Sequence, residues 1–182
     1  MLGGKVTYLA SPSEHRIEYQ DHAYDSQGTW FDEGVSIPMF QYPAIFDPDP
    51  DDGSFTVTFP DFGYGVTQGS TRAEAEEMGA DLLACLMTDC MEKRTDFSKP
   101  GRLRGRKIRP ITLPALLDAK ANLYVAMRTA GMRKADLARR LGCQKSQVDR
   151  LLDFKNSTRM GQIEAAFHAL GKRIVIEVQN AA

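Results

Sequence analysis

The 182-residue chain has no apolar run near the roughly 18–20 residues that span a bilayer, which excludes a transmembrane helix. Cysteine is scarce: Cys85, Cys90 and Cys143 are odd in number and show no C-x-x-C spacing, so no disulfide framework or zinc ribbon is expected. Cys85 and Cys90 lie five apart on an expected helix and point to different faces, so reduced thiols are the simpler reading. His15, His22 and His168 are scattered without metal-ligand spacing, and no cofactor is expected. The first residues include Glu14, Glu18, Asp21 and Asp25 and no apolar core, unlike a signal peptide, so the expected compartment is the cytoplasm.

Basic residues are almost missing from the first half. Up to Glu92 there are three (Lys5, Arg16, Arg72) against 17 acidic residues, a net −14. From Lys93 onwards there are 20 against seven, a net +13 that the overall −1 conceals. Such asymmetry suggests two domains with partners of opposite charge, a basic one for the first and a polyanion for the second. The plainer alternative is a dipolar protein whose halves attract each other.

Residues 1–38 carry Tyr8, Tyr19, Tyr24, Trp30 and Phe31 but no clean period, and are expected to be a disordered extension or to lie upstream of a natural start at Met39. Residues 39–92 read as a β-β-β-α unit. Phe40–Phe46 is a strand, and Asp47–Gly53 is a turn rich in Pro, Asp and Gly. Ser54–Pro60 alternates Phe55, Val57 and Phe59 with Thr56 and Thr58, and Val66–Gly69 is a short third strand. Thr71-x-x-Glu74 then has the form of a capping box. Ala75, Met78, Leu82 and Leu86 follow as an apolar stripe on a helix that fades near Met91. Residues 93–114 hold eight basic residues among Gly101, Gly105, Pro100, Pro110 and Pro114, a linker with a possible strand over Lys107–Leu113.

Residues 115–182 read as helical. Ala115–Ala130 ends at Gly131, Arg133–Leu141 at Gly142, Gln144–Leu152 follows, and Met160–Leu170 is closed by Gly171, before a strand over Arg173–Val178. In 134–152, Leu137, Ala138, Leu141, Val148, Leu151 and Leu152 suit the core of two short helices crossing steeply, with Gly142 in the turn. That pattern is a helix-turn-helix, whose second helix enters the major groove. Its exposed set is Gln144, Lys145, Ser146, Gln147 and Arg150, with Gln suited to adenine and Lys or Arg to guanine or phosphate. Arg133, Lys134, Lys155, Thr158 and Arg159 complete the expected DNA-binding set; of these, Lys155, Thr158 and Arg159 read as phosphate contacts, which position rather than specify.

The acidic loop Asp47, Asp49, Asp51, Asp52 partly resembles a calcium loop, but position 12 is Thr58 rather than Glu and two prolines interrupt it, which favours a solvated turn. A β-β-β-α unit also occurs in RNase H-like nucleases. Only Asp61 follows a strand suitably here, and no partner carboxylates are evident, so no enzyme is expected.

Three blocks then resemble the HicB antitoxin family. They are Phe55-x-Val-x-Phe59-Pro60-Asp61, Thr67-Gln68-Gly69-Ser70-Thr71 followed by Ala73-Glu74-Ala75, and an opening Tyr42-Pro43-Ala44. The closing Leu170-Gly-Lys-Arg-Ile-Val-Ile-Glu-Val178 is similar to the helix-turn-helix branch of that family. The resemblance covers roughly residues 39–178, and the loop Asp61–Gly65 departs from it by lacking Pro-Gly-Cys. It implies an α+β protein: a degenerate RNase H-like domain that binds a HicA-type toxin, a small basic mRNA interferase, and a DNA-binding domain that represses its own operon. Charge then nominates Asp47, Asp49, Asp51, Asp52 and Asp61 as the toxin-binding rim. A palindromic operator calls for a homodimer, for which Ile174, Ile176 and Val178 on the terminal strand are the candidate contacts. The competing reading is a stand-alone regulator whose first domain senses a ligand or protein; a metal-dependent nuclease is the third.

Overall fold

The computed structural model describes residues 16–24, 30–38, 40–103 and 105–176. Seven strands and five helices follow in chain order among them: β1 (Arg16–Tyr24), β2 (Trp30–Pro38), β3 (Gln41–Pro48), β4 (Phe55–Thr58), β5 (Val66–Gly69), α1 (Arg72–Lys93), β6 (Ile108–Thr112), α2 (Ala115–Thr129), α3 (Lys134–Leu141), α4 (Lys145–Leu152), α5 (Met160–Ala169) and β7 (Lys172–Ile176). The class is mixed α and β.

Four strands form an antiparallel sheet in the order β5-β4-β3-β6. Alternation sets its faces. Tyr42, Ala44, Phe46, Val57 and Ile111 point to the covered face, where α1 packs with Ala75, Leu83, Leu86 and Met87. The side chains opposite them (Ile45, Thr56, Thr58, Val66) lie on the other face.

α1 starts as its sequence predicts, with Thr71 Oγ1 accepting from the Glu74 amide at 3.2 Å. The returning carboxylate bonds the Ser70 amide at 2.8 Å, one residue before the expected donor. The buried stripe is also shifted. It runs Ala75, Gly79, Leu83, Leu86, Met87, Cys90, whereas Met78 is 38% exposed. Gly79 lies within that stripe, where a Cβ would make ordinary contact with Val57 and Ile111, so the helix faces the sheet at a position with no hydrophobicity to betray it.

The segment expected to be a linker instead completes the first unit. Tyr42 Oη donates to the Ser98 carbonyl (2.7 Å), Tyr124 Oη to the Thr95 carbonyl (2.8 Å), and Arg128 Nε to Asp96 (2.6 Å). Beyond that crossing, β6 pairs with β3 from Gln41↔Thr112 to Ile45↔Ile108. Recut after Leu113, residues 40–113 hold nine basic and twelve acidic residues, a net −3, and residues 114–182 hold twelve and six, a net +6. The steep charge division read from the sequence came from cutting through one folded unit.

A second core gathers α2, α3, α4 and α5 around Leu123, Leu137, Val148, Leu152, Ile163 and Phe167. α2 serves both cores: Ala121 belongs to the first, and Ala119, Leu123 and Met127 to the second. A helix that is apolar nearly all round must be buried on most sides.

Two strands lie in the stretch expected to lack regular structure. β1 pairs with β2 (Arg16↔Pro38 to Tyr24↔Trp30) and, along its other edge, with β7 (Ile17↔Ile176 to Asp21↔Lys172). Neither β1 nor β2 carries a clean alternation to mark it, and the pairing of β1 with β7, some 150 residues away, has no local signal. The terminal strand is therefore not the lone strand expected: β1 occupies one side of it, and β7 ends the sheet β2-β1-β7. Met39 and Val178 lie outside the described residues.

Candidate functional site

Two surfaces carry the residues singled out above. The first is built on α3 and α4. Gly142 ends α3 at φ 62°, a left-handed conformation that glycine adopts without penalty, and lets the chain turn within 142–144. Leu137 and Ala138 on α3 and Val148, Leu151 and Leu152 on α4 go into the second core. Burial of that stripe leaves Gln144, Lys145, Ser146, Gln147 and Arg150 on the solvent side, all exposed.

Hydrogen bonds fix several of these. Gln147 Oε1 accepts from the Gln144 amide at 3.0 Å, capping α4, which leaves its amide nitrogen and the second lone pair of Oε1 for an incoming group. The bidentate adenine contact needs both. Asp149 holds Lys134 Nζ at 2.9 Å and Lys145 Nζ at 3.4 Å, and their charge, the Lys134 hydrogen bond first, keeps its carboxyl below the usual range. This bridge ties α3 to α4 on the exposed side. Arg133 stands just before α3, its amide bonded to Asp136 at 3.2 Å.

An open cleft of about 440 Å³ runs between α4 and the start of α5, and brings Gln147 and Arg150 together with Thr158. Asn156, Ser157 and Gln162 line it too, residues that the sequence reading missed. Gln162 had a local signal, because at the third position of α5 its Oε1 accepts from the Arg159 amide (3.2 Å). Lys155 and Arg159 are exposed on the loop between α4 and α5.

That loop is held from below by a residue that the sequence reading did not single out. Lys120 is buried, and its Nζ donates to the carbonyls of Asp153 (2.7 Å) and Asn156 (2.6 Å). Burial pushes its pKa down. Asp118, two residues earlier on α2, is also buried; it accepts from the Phe40 amide (2.8 Å) and from Asn122 Nδ2 (3.0 Å). Burial raises its pKa to about 6 against those two hydrogen bonds. The signal for both was the absence of a polar face on α2.

The second surface is acidic, and the structure divides it. Asp47, Asp49, Asp51 and Asp52 share the exposed turn between β3 and β4, whereas Asp61 lies past the opposite end of β4. Asp61 Oδ2 accepts from the Gly101 amide at 2.9 Å and so anchors the crossing segment. In the turn, Asp49 accepts from the Asp51 amide (2.9 Å) and Asp52 from that of Ser54 (2.8 Å), while Asp47 pairs with Lys107 at 2.6 Å. These carboxylates shape the turn. Among the described residues no group of three or more His, Cys, Asp or Glu is placed to hold a metal ion, and no helix is long and apolar enough to cross a membrane. Of the dimerisation candidates, Ile174 packs against the second core, and Ile176 pairs with Ile17.

Comparison with known proteins sets these surfaces in a class. A sequence model described as "HicB_like antitoxin of bacterial toxin-antitoxin system" matches residues 41–122, from β3 into the middle of α2. The class is that of antitoxins of bacterial toxin–antitoxin systems. The Antitoxin HicB of Pseudomonas fluorescens (strain Pf0-1) is 31% identical over 143 residues, covering 79% of this chain and 97% of its own. Antitoxin HicB 1 of Photorhabdus laumondii is 27% identical over 82% of this chain and 94% of its own, and Antitoxin HicB of Escherichia coli K12 is 30% identical over 74% and 96%. A chain of a toxin–antitoxin complex from Streptococcus pneumoniae aligns with 60% of this chain and 92% of its own, at 21% identity and a TM-score of 0.37, too low to bear on the fold. The chain belongs to the HicB antitoxin family.

Proposed function

We propose that this antitoxin neutralises a small basic HicA-type mRNA interferase with the unit built on β3–β6 and α1, and represses its own operon through the second unit. The observation that carries the DNA-binding half is the disposition of α4. Its apolar residues are buried to the last one, while Lys145, Ser146, Gln147 and Arg150 stay exposed beside a cleft that a phosphate backbone or base edge can approach. That is the arrangement of a recognition helix in a helix-turn-helix. Lys134, Lys155 and Arg159 then serve the backbone, contributing affinity that falls with salt. The first unit is read as the degenerate RNase H-like domain of the family, with no catalytic role. The protein acts as a homodimer, since one recognition helix reads too few base pairs; a second copy would pair along the outer edge of β7.

The test is a titration of the DNA upstream of the operon with the purified chain. Arg150→Ala should weaken specific binding about tenfold, the scale of one base contact, and leave relief of toxin-induced growth arrest intact. Equal loss of both activities would refute two separable functions. Growth arrest by the neighbouring small protein that this chain leaves untouched would refute neutralisation, and the stand-alone regulator would then be the better reading.

A further inference from the structure

We propose that the seam between β5 and a second apolar stripe on α1 is the docking surface for a basic protein partner, namely the toxin of the function proposed above, on which this inference rests. The acidic turn at 47–52 is not that surface.

Four large apolar side chains are exposed among the described residues: Tyr64 (49%), Val66 (64%), Met78 (38%) and Leu103. Tyr64 and Val66 flank the start of β5, with Val66 on the sheet face away from α1, and Met78 lies on α1, the helix that packs along β5. β5 lies at the end of its sheet, so its outer edge has no strand neighbour among the described residues. Its four residues, Val-Thr-Gln-Gly, include no lysine or proline of the kind that blunts edge strands. α1 runs alongside. Gly65 lies against Leu82 and Leu86, Gly69 against Ala75, and Tyr64 Oη donates to Asp89 at 2.5 Å. The helix flank beyond the strand carries Met78, Leu82 and Cys85, spaced at four and three residues, with Met78 and Cys85 exposed and Leu82 half-buried.

This flank explains why the sequence suggested Met78 and Leu82 as the buried face of α1. The helix has two apolar stripes, and the structure buries only one. An apolar stripe left beside an unprotected strand edge is a surface that gains from being covered.

Charge selects the occupant. Between Arg72 and Lys93, α1 carries six carboxylates against those two terminal cations, which are already paired with Glu76 (3.3 Å) and Asp89 (2.7 Å). Glu77 and Asp81, flanking Met78, have no ion-pair partner among the described residues. A second copy of the chain, docking here about a twofold axis, would bring these carboxylates against their own counterparts. A basic partner meets them with opposite charge, which speeds encounter and fixes orientation. The turn at 47–52 lacks the apolar component, and three of its four carboxylates are already engaged within the chain.

The test compares Met78→Lys and Asp81→Lys with Asp51→Lys in the full-length chain, using as probe the small basic protein encoded beside it. Binding is measured by calorimetry and assembly state by sedimentation. The wild-type chain should bind the probe, each α1 substitution should weaken binding roughly tenfold or more, and Asp51→Lys should change it little. Operator binding and sedimentation of the free chain should be unchanged in all three, which guards against misfolding. Wild-type affinity in both α1 variants, with a large loss in Asp51→Lys, would overturn the assignment and return it to the turn. A changed assembly state in the α1 variants would also overturn it, in favour of a second copy. A wild-type chain that does not bind the probe would instead refute the proposed function itself.

Discussion

Asp118 and Lys120 carry opposite charges two residues apart on α2, yet they point to different units. Asp118 holds the first residue before β3 through the Phe40 amide, and Lys120 holds the loop after α4. Neither pairs with the other. Asn122 adds a polar atom, Oδ1, that has no hydrogen-bond partner. Buried charges without ion partners are costly, and the raised pKa of Asp118, about 6, records that cost. The native state therefore holds its proton more tightly than the unfolded chain does, whose carboxyl has the ordinary 3.8. Between those values the folded form binds more protons, so this contribution to stability is present in full below about 4 and is lost as pH rises through 6. The shift corresponds to something on the order of 3 kcal/mol at most. Asp118→Asn keeps an acceptor for the Phe40 amide and removes the charge. Urea unfolding from pH 4 to pH 7 should show wild-type stability falling relative to that of Asp118→Asn; parallel curves would mean that the carboxyl is not desolvated in solution.

At the scale of elements, α3, α4, α5 and β5 were legible because each signal was local: apolar residues at helical spacing, a glycine at the turn, short alternation. α1 was legible in extent but not in phase. Hydrophobicity marks where apolar side chains are, whereas the buried stripe runs through Gly79, which has none. Gly69 makes the same point more sharply. A Cβ there would lie 2.3 Å from the Ala75 amide nitrogen and 2.6 Å from its Cα, backbone atoms that cannot yield without moving α1 off the sheet. The glycine is required by contact and not by its backbone angles. Gly69→Ala is expected to destabilise the first core by about 3 kcal/mol or more, the upper range for overpacking, visible as a drop in the urea midpoint. A change below about 1 kcal/mol would show that β5 can slide along α1. The pairing of β6 with β3 and the division of the aspartates were illegible for another reason. Both depend on which segments meet across 40 residues or more, as in Asp61 with Gly101 and β3 with β6, and composition carries no record of that.

At the scale of the molecule, the charge step at Glu92 does not coincide with the packing, because β6 pairs with β3 and α2 packs in both cores. The cut at Glu92 followed charge, but the first unit extends through β6 and then borrows α2. Ala121 lies in the first core and its neighbours on the same helix in the second, so unfolding either unit strips α2 of half its packing. Phe97 reinforces this union. It sits on the crossing segment, packs against both cores, and has Phe40 edge-on at 5.4 Å on one side and Tyr124 at 5.2 Å on the other. Edge-on and tilted ring pairs of this kind add roughly 0.5–1.5 kcal/mol each beyond burial. Two units joined by a shared helix and a shared ring should melt together, whereas units joined by a free linker melt apart. Calorimetry of the wild-type chain should therefore give a single transition with matching calorimetric and van't Hoff enthalpies. Phe97→Ala removes the ring and leaves α2 as the main tie, at a cost of about 3 kcal/mol. It should broaden the transition or resolve it into two. Two transitions already present in the wild type would show that the two cores are independently stable. A single sharp transition in the variant would place the coupling in α2 alone, with Asp118 and Lys120 as its polar contacts to the two sides.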